Sequence, residues 1–307
     1  MLNHRQSTGR KKDFKMDTIG IIGQGFVGTA IFEGMKHAFE IWAYDIKTGV
    51  TGWMGGKGFQ TSTGDNVESG FKQILAKCDI IFVCLPTPMN PDGTCNTKIV
   101  EDAVKMLDEL NPGNHKVIVI KSTVPPGTTE NLNKTSGDWV CFNPEFLTER
   151  ASVEDFKNQD RIIIGGPREG TNALKAMYEK AYPDVPVTKT SSTIAELVKY
   201  TTNCFLATKV SFANEMSQVC EALGEDYDKV VEYAIKDERL GSSHWSVPGP
   251  DGKKGFGGSC FPKDLNAFIK QAEKLQVNCR TLEGAWQTNL RVRPEKDWEQ
   301  LKGRAVT

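Results

Sequence analysis

Cys260 stands in the run Gly255-Phe256-Gly257-Gly258-Ser259-Cys260-Phe261-Pro262-Lys263-Asp264, where a glycine-rich loop delivers one thiol to the start of a helix. Glycines let the backbone take positive φ and approach a ligand closely. Pro262 suits the first helical position, and Leu265, Phe268, Ile269 and Ala272 follow at helical spacing. A helix start, and Lys263 one turn away, both favour thiolate over thiol, as a nucleophilic cysteine needs. The plainer reading is a buried structural thiol. It suits a loop this rich in glycine less well.

A second group of residues points to a dinucleotide. Gly23-Gln24-Gly25-Phe26-Val27-Gly28 follows the β-rich run Thr18 to Ile22 and precedes a helix marked by Val27, Ala30, Ile31 and Met35. G-x-G-x-x-G between a strand and a helix seats a pyrophosphate at the helix N-terminus. Asp45 ends the next strand, Ile41 to Tyr44, where an acidic residue binds a ribose diol and disfavours a 2′-phosphate, so NAD is expected rather than NADP. Thr87 and Thr123 follow two buried strands, Asp79 to Leu85 and Val117 to Ile120, on the edge where open α/β sheets place ligands. They are cofactor or active-site candidates, or else caps. Glu145 and Glu149 follow the strand Trp139 to Phe142 and could perform acid–base work or line a solvated turn. Lys199 and Asn203 share one face of an apolar helix and need buried partners, either a ligand or an internal salt bridge.

The elements that must position these residues divide the chain in two. Over 17–190 strands alternate with helices, including helices at 99–110 and 171–181 and a last strand at 185–187, which predicts a doubly wound parallel sheet of Rossmann type. The stretch Gly49 to Gly70 reads as a loop with a short helix following. From 191 to 307 strands disappear. Thr193 to Glu196 reads as a capping box opening a helix to Leu223, with Gly224 as its stop. That helix is apolar on more than one stripe, so a homodimer through 193–223 is expected. A shorter helix near 226–237, a long loop at 242–254, the cysteine helix and one more helix (Leu282, Ala285, Trp286, Leu290) follow, then a charged stretch from 291 to 307.

Bulk properties narrow the classes. Hydrophobic residues make up 38%, charged residues 25%, and the net charge is −1, so nothing argues for a nucleic-acid partner. No apolar run is long enough to span a membrane. The eight cysteines are scattered without a C-x-x-C pair, which argues against a metal site and for the reducing cytoplasm. Residues 1–16 are polar and basic, expected to be a disordered tail rather than a secretory signal, with Met16 a possible natural start.

The glycine motif, Ser122-Thr123-Val124-Pro125, Asn143-Pro144-Glu145-Phe146-Leu147, the Lys199/Asn203 helix and Gly257 to Asp264 occur together and in order. Over about residues 17 to 290 the sequence resembles the UDP-glucose/GDP-mannose dehydrogenase family. That resemblance implies oxidation of a nucleotide sugar's C6 alcohol to a carboxylate with two NAD+, as in polysaccharide biosynthesis, with UDP-glucose the expected substrate. It implies Cys260 as nucleophile, Lys199 and Asn203 as oxyanion ligands, Asp264 and Thr123 as holders of a water, and Glu145 as the hydrolytic base supported by Glu149. Phe146, Leu147, Glu149, Gly257 and Arg239 match substrate positions, Arg239 across a dimer interface. Gly23, Gly25, Phe26, Val27, Gly28, Asp45, Thr87 and Thr123 match cofactor positions.

Family members carry a third, C-terminal α/β domain for the nucleotide, and this sequence stops where it would begin. A shortened chain, a separate polypeptide and a compact variant whose 242–254 loop compensates all remain open. Two rival functions stand beside the first. One is a two-electron 3-hydroxyacid dehydrogenase, which needs no cysteine. The other is a nucleotide-binding homologue without catalysis.

Overall fold

A computed structural model describes residues 17–307 except Asp65, so the tail expected over 1–16 lies outside the described residues. The first half alternates β1 (Thr18–Ile22), α1 (Phe26–Met35), β2 (Glu40–Asp45), β3 (Gly49–Met54), β4 (Lys57–Gln60), α2 (Val67–Lys77), β5 (Ile80–Val83) and α3 (Lys98–Leu110). It continues through β6 (Val117–Ile120), α4 (Thr128–Thr135), β7 (Trp139–Phe142), α5 (Ser152–Lys157), β8 (Ile162–Gly165), α6 (Arg168–Ala181) and β9 (Val187–Thr190). These strands form one sheet in the order β4-β3-β2-β1-β5-β6-β7-β8-β9.

The central strands β5 and β6 are unbroken β-branched and aromatic runs, buried at every position, because helices cover both faces. Ile31, Leu174 and Met177 fill one side from α1 and α6. Ile74, Val104 and Leu107 fill the other from α2 and α3. The chain moves outward from β1 through β2, then returns to β5 on β1's other side. That reversal is the switch point at which such sheets open a ligand crevice.

Two parts of the sheet depart from expectation. The stretch from Gly49 is a β-hairpin, β3 antiparallel to both β2 and β4, turned by Gly55 and Gly56 at φ 59° and 78°. Two consecutive positive φ values make a two-residue turn that matches strand twist, and glycine adopts them without strain. Trp42 and Phe59, 4.6 Å apart, cover it. On the far side β8 pairs antiparallel to β7 before β9 resumes beside it in parallel, so the sheet is mostly rather than wholly parallel.

The second half is helical: α7 (Ser192–Leu223), α8 (Tyr227–Ala234), α9 (Phe261–Lys274) and α10 (Arg280–Val292), with short 3-10 turns at Glu238–Leu240 and Asp297–Gln300. The cap of α7 differs from the expected box. Ser191 accepts from Ile194 N–H, and Glu196 instead crosses to α4, accepting from Gly127 and Thr129 N–H at 2.6 and 2.9 Å. The stop is as read, with Gly224 left-handed at φ 73°. Helix α7 packs on α9 through stacked Tyr200 and Phe268, 5.4 Å apart, and on α10 through Ser211 donating to the Ala285 carbonyl. Its remaining face presents Ile194, Leu197, Phe205, Phe212 and Val219 at the surface. No helix among the described residues is long and apolar enough to cross a membrane.

Candidate active site

The glycine loop turns tightly between β1 and α1. Gly23 sits at φ 92°, its N–H donating to the Tyr44 carbonyl at 2.8 Å. A side-chain carbon at Gly28 would collide with the Gly23 carbonyl, so those two glycines close the turn. At Gly25 the same carbon would meet nothing within 4 Å. Packing does not demand a glycine there, and its absent side chain leaves the backbone open to close approach by a ligand. Asp45 is aimed by two backbone donors, Gln24 N–H and Lys47 N–H, each at 2.8 Å. These features open onto one cavity of about 950 Å³ that continues past Phe26, Val27, Thr87 and Thr123 to Glu145 and Cys260. Thr87 and Thr123 are joined there, the Thr87 hydroxyl donating to the Thr123 carbonyl at 2.8 Å. Residues, volume and the open face at Gly25 fit a dinucleotide.

Cys260 is the N-cap of α9, with Pro262 in its first turn. The loop before it is braced by side chains of α7 and α10 that were not among the candidate residues. Asn214 on α7 accepts from Gly255 N–H at 3.1 Å. Asn289 on α10 accepts from Phe256 N–H at 2.7 Å and donates back to its carbonyl at 2.9 Å. Asp297 accepts from Arg293 Nε at 2.6 Å and from its Nη2 at 3.0 Å. Gly257 must be glycine because a side-chain carbon would overlap the Arg293 guanidinium and lie 2.6 Å from Asp297 Oδ1. The only signal in the sequence was two asparagines on otherwise apolar helix faces.

The thiol is not acidic as expected. Cys260 is half-buried in the cavity wall, and desolvation there pushes its pKa up to about 11. Lys263 pulls the other way, opposed by Asp264 and Glu145. Lys263 pairs directly with Asp264. Burial alone would lower the Lys263 pKa, but Asp264 and the thiols beside it raise it above the ordinary value. The helix start and the lysine are present as read; a neutralising carboxylate and desolvation outweigh them.

Lys199 and Asn203, one turn apart on α7, are both buried and both partnered. Lys199 Nζ donates to the Glu145 carbonyl at 2.7 Å and to its Oε1 at 2.8 Å. An ammonium has three donors, so one remains. Asn203 donates to Asp264 Oδ2 at 2.6 Å. Burial would raise Glu145, but the Lys199 charge and hydrogen bond, Leu147 N–H and Lys121 hold it below the ordinary carboxylate range. Lys121, at the end of β6, is lowered by burial to about 8 while it donates to Asn143 Oδ1 and the Pro144 carbonyl. Glu149 does not touch Glu145. It accepts from Ser259, lies 3.8 Å from Cys260 Sγ, and pairs with Arg304 at 3.0 Å. Phe146 faces this group, with Arg161 over its ring at 4.4 Å and Lys199 at 5.9 Å. Leu147 packs against the sheet's core. Arg239 stands apart, exposed and held by Asp237.

The two segments that carry these groups match two family models. Residues 59–182 match the NAD binding domain of the UDP-glucose/GDP-mannose dehydrogenase family, and residues 193–291 match its central domain. The chain belongs to that family. The first segment holds Thr87, Thr123, Glu145 and Glu149, the second Lys199, Asn203, Cys260 and Asp264, and the family's cofactor is NAD. UDP-glucose 6-dehydrogenase YwqF of Bacillus subtilis (strain 168) is 36% identical over 233 residues, 73% of this chain and 51% of that one. The chain spans about half the length of the curated relatives it matches first. A solved UDP-glucose dehydrogenase from Pyrobaculum islandicum aligns over 98% of this chain and 72% of its own, with TM-score 0.76 and 29% identity. A 3-hydroxyisobutyrate dehydrogenase from Mycobacterium tuberculosis, at 13% identity and TM-score 0.67 over 92% of this chain and 95% of its own, shares the fold.

Proposed function

We propose that the chain oxidises the C6 alcohol of a nucleotide sugar to a carboxylate, UDP-glucose to UDP-glucuronate first among candidates, through a covalent intermediate on Cys260. One observation carries this reading: a single cavity joins Asp45 and the glycine loop to Cys260 and Glu145. The 3-hydroxyacid alternative shares the fold and gives that thiol nothing to do. We take residues 17–190 as the NAD unit and 191–307 as the helical unit bearing the nucleophile.

NAD+, when bound, supplies the hydride acceptor for both oxidations. The chain's own groups do the rest. At the aldehyde stage Cys260 sulfur bonds to the carbonyl carbon as the C=O π bond opens, and the thiol proton leaves to solvent. The third Lys199 donor and the Asn203 amide hold the oxygen on which charge develops. Loss of hydride from that adduct leaves a thioester. Asp264 and Thr123 hold a water; it bonds to the carbonyl carbon, the C–S bond breaks, and Cys260 is regenerated. Glu145, kept ionised by Lys199, takes the water's proton, while Glu149 stands beside the sulfur, 3.8 Å away, and not against Glu145. Phe146, Leu147, Glu149 and Gly257 are proposed sugar contacts.

We further propose a homodimer through the exposed apolar face of α7, from whose partner Arg239 would reach the site, and the cytoplasm as a setting where the thiol stays reduced. Cys260→Ser tests the covalent step: carboxylate formation should fall to background while NAD+ binding persists, and a variant that still formed acid at the native rate would remove the mechanism.

A further inference from the structure

Beyond α10 the chain turns back across the cavity. Arg293, fully buried, pairs with Asp251 and Asp297 at 2.6 Å each, and Trp298 packs 5.3 Å from Trp286. These contacts anchor the turn to the helical half. The piece after it is tied to the loop that carries Thr87: Met89 N–H donates to the Ala305 carbonyl at 2.8 Å, and Thr307 N–H donates to the Met89 carbonyl at 3.0 Å. Between the two anchors Lys302, Gly303 and Arg304 form part of the cavity wall. The Arg304 guanidinium lies 5.4 Å from the centre of the Phe26 ring, which opens α1, and 3.0 Å from Glu149 Oε2.

A cation is thus held over the glycine loop, between Phe26 and the carboxylate that touches Cys260. A dinucleotide brings two phosphate charges to that loop. The lysines at the catalytic end are engaged elsewhere, Lys121 with Asn143 and Pro144, Lys263 with Asp264. A guanidinium offers five donors in a planar fork, and its contact with Glu149 engages one nitrogen, so the fork retains donors for a phosphate.

We propose that Arg304 is a diphosphate ligand of the NAD site, delivered by the segment 301–307 and steadied by Glu149. The assignment rests on the cavity being the cofactor site, and it makes the segment after the last helix part of that site. Calorimetric titration of the whole chain with NAD+, ADP-ribose and adenosine tests it, on wild type, Arg304→Ala and Arg304→Lys. Arg304→Ala should weaken NAD+ and ADP-ribose by about tenfold, the worth of one charge-assisted hydrogen bond, and leave adenosine unchanged. Arg304→Lys should recover part of the loss. Equal weakening of all three ligands in both variants, or no weakening of any, overturns the assignment. Wild-type protein that binds adenosine but neither dinucleotide ligand overturns the cofactor reading itself, and the assignment with it.

Discussion

At the scale of single residues the chemistry turns on how burial and charge divide between neighbours. Cys260 illustrates it. A helix start and Lys263 would make an acidic thiol in isolation, yet burial pushes the thiol to about 11, with Asp264 opposing the lysine it pairs with. The sign follows directly: a raised thiol pKa leaves the sulfur protonated at neutral pH, and the thiolate fraction grows about tenfold per pH unit until that value is reached. Alkylation of Cys260 by iodoacetamide, followed by mass spectrometry of its peptide without cofactor, should therefore climb from pH 7 to 10 without levelling. A plateau below pH 8 would show the acidic thiol that the sequence suggests. The paired groups behave differently. Lys199 and Asn203 were legible as candidates because polar residues on an apolar helix need partners, Glu145 as a carboxylate at a strand's end, and Asp264 only through the family resemblance. Which pairs with which was not legible, since Glu145 comes from β7's end and Lys199 from α7, 54 positions later.

At the scale of elements, local rules succeeded where a pattern was strong and failed where glycine or a distant partner decided. The βα unit at Gly23 to Gly28 and the stop at Gly224 follow from their residues. The hairpin at Gly49 to Gln60 was hidden because its glycines read as loop, when two of them make the turn. The expected cap at Thr193 failed because Glu196 is used to hold α4, a contact no local spacing reveals. The cysteine loop depends on the same kind of distant support. Arg293 cannot yield cheaply to a larger residue at 257, being buried and fixed by two carboxylates. Gly257→Ala should thus destabilise the protein by about 1–3 kcal/mol, the usual cost of overpacking, and reduce turnover, both measurable by denaturant titration and an NADH assay. An unchanged midpoint with native activity would show that the loop is not held as described.

At the scale of the whole molecule, a parallel-sheet unit and a helical unit meet along one cavity, and the segment beyond α10 closes over it. The charged composition of 291–307 gave no hint of this, because its burial rests on three side chains, Arg293, Trp298 and Ala305, that find partners far away in sequence. The apolar face of α7 carries a separate expectation. Phe205 is 66% exposed and Leu223 71%, so a single chain leaves them in water, whereas a dimer would cover them. Light scattering at micromolar concentration should give a dimer, and Phe205→Glu should give a monomer; a monomeric wild type would contradict the interface. In the proposed reaction the NAD cavity and Cys260 act together in a four-electron oxidation. Its most direct test is the ratio of NADH formed to sugar consumed with UDP-glucose and excess NAD+. Two NADH per UDP-glucuronate are expected, whereas one NADH with a ketone product, or bound NAD+ with no turnover on any UDP-sugar, would contradict the four-electron reaction.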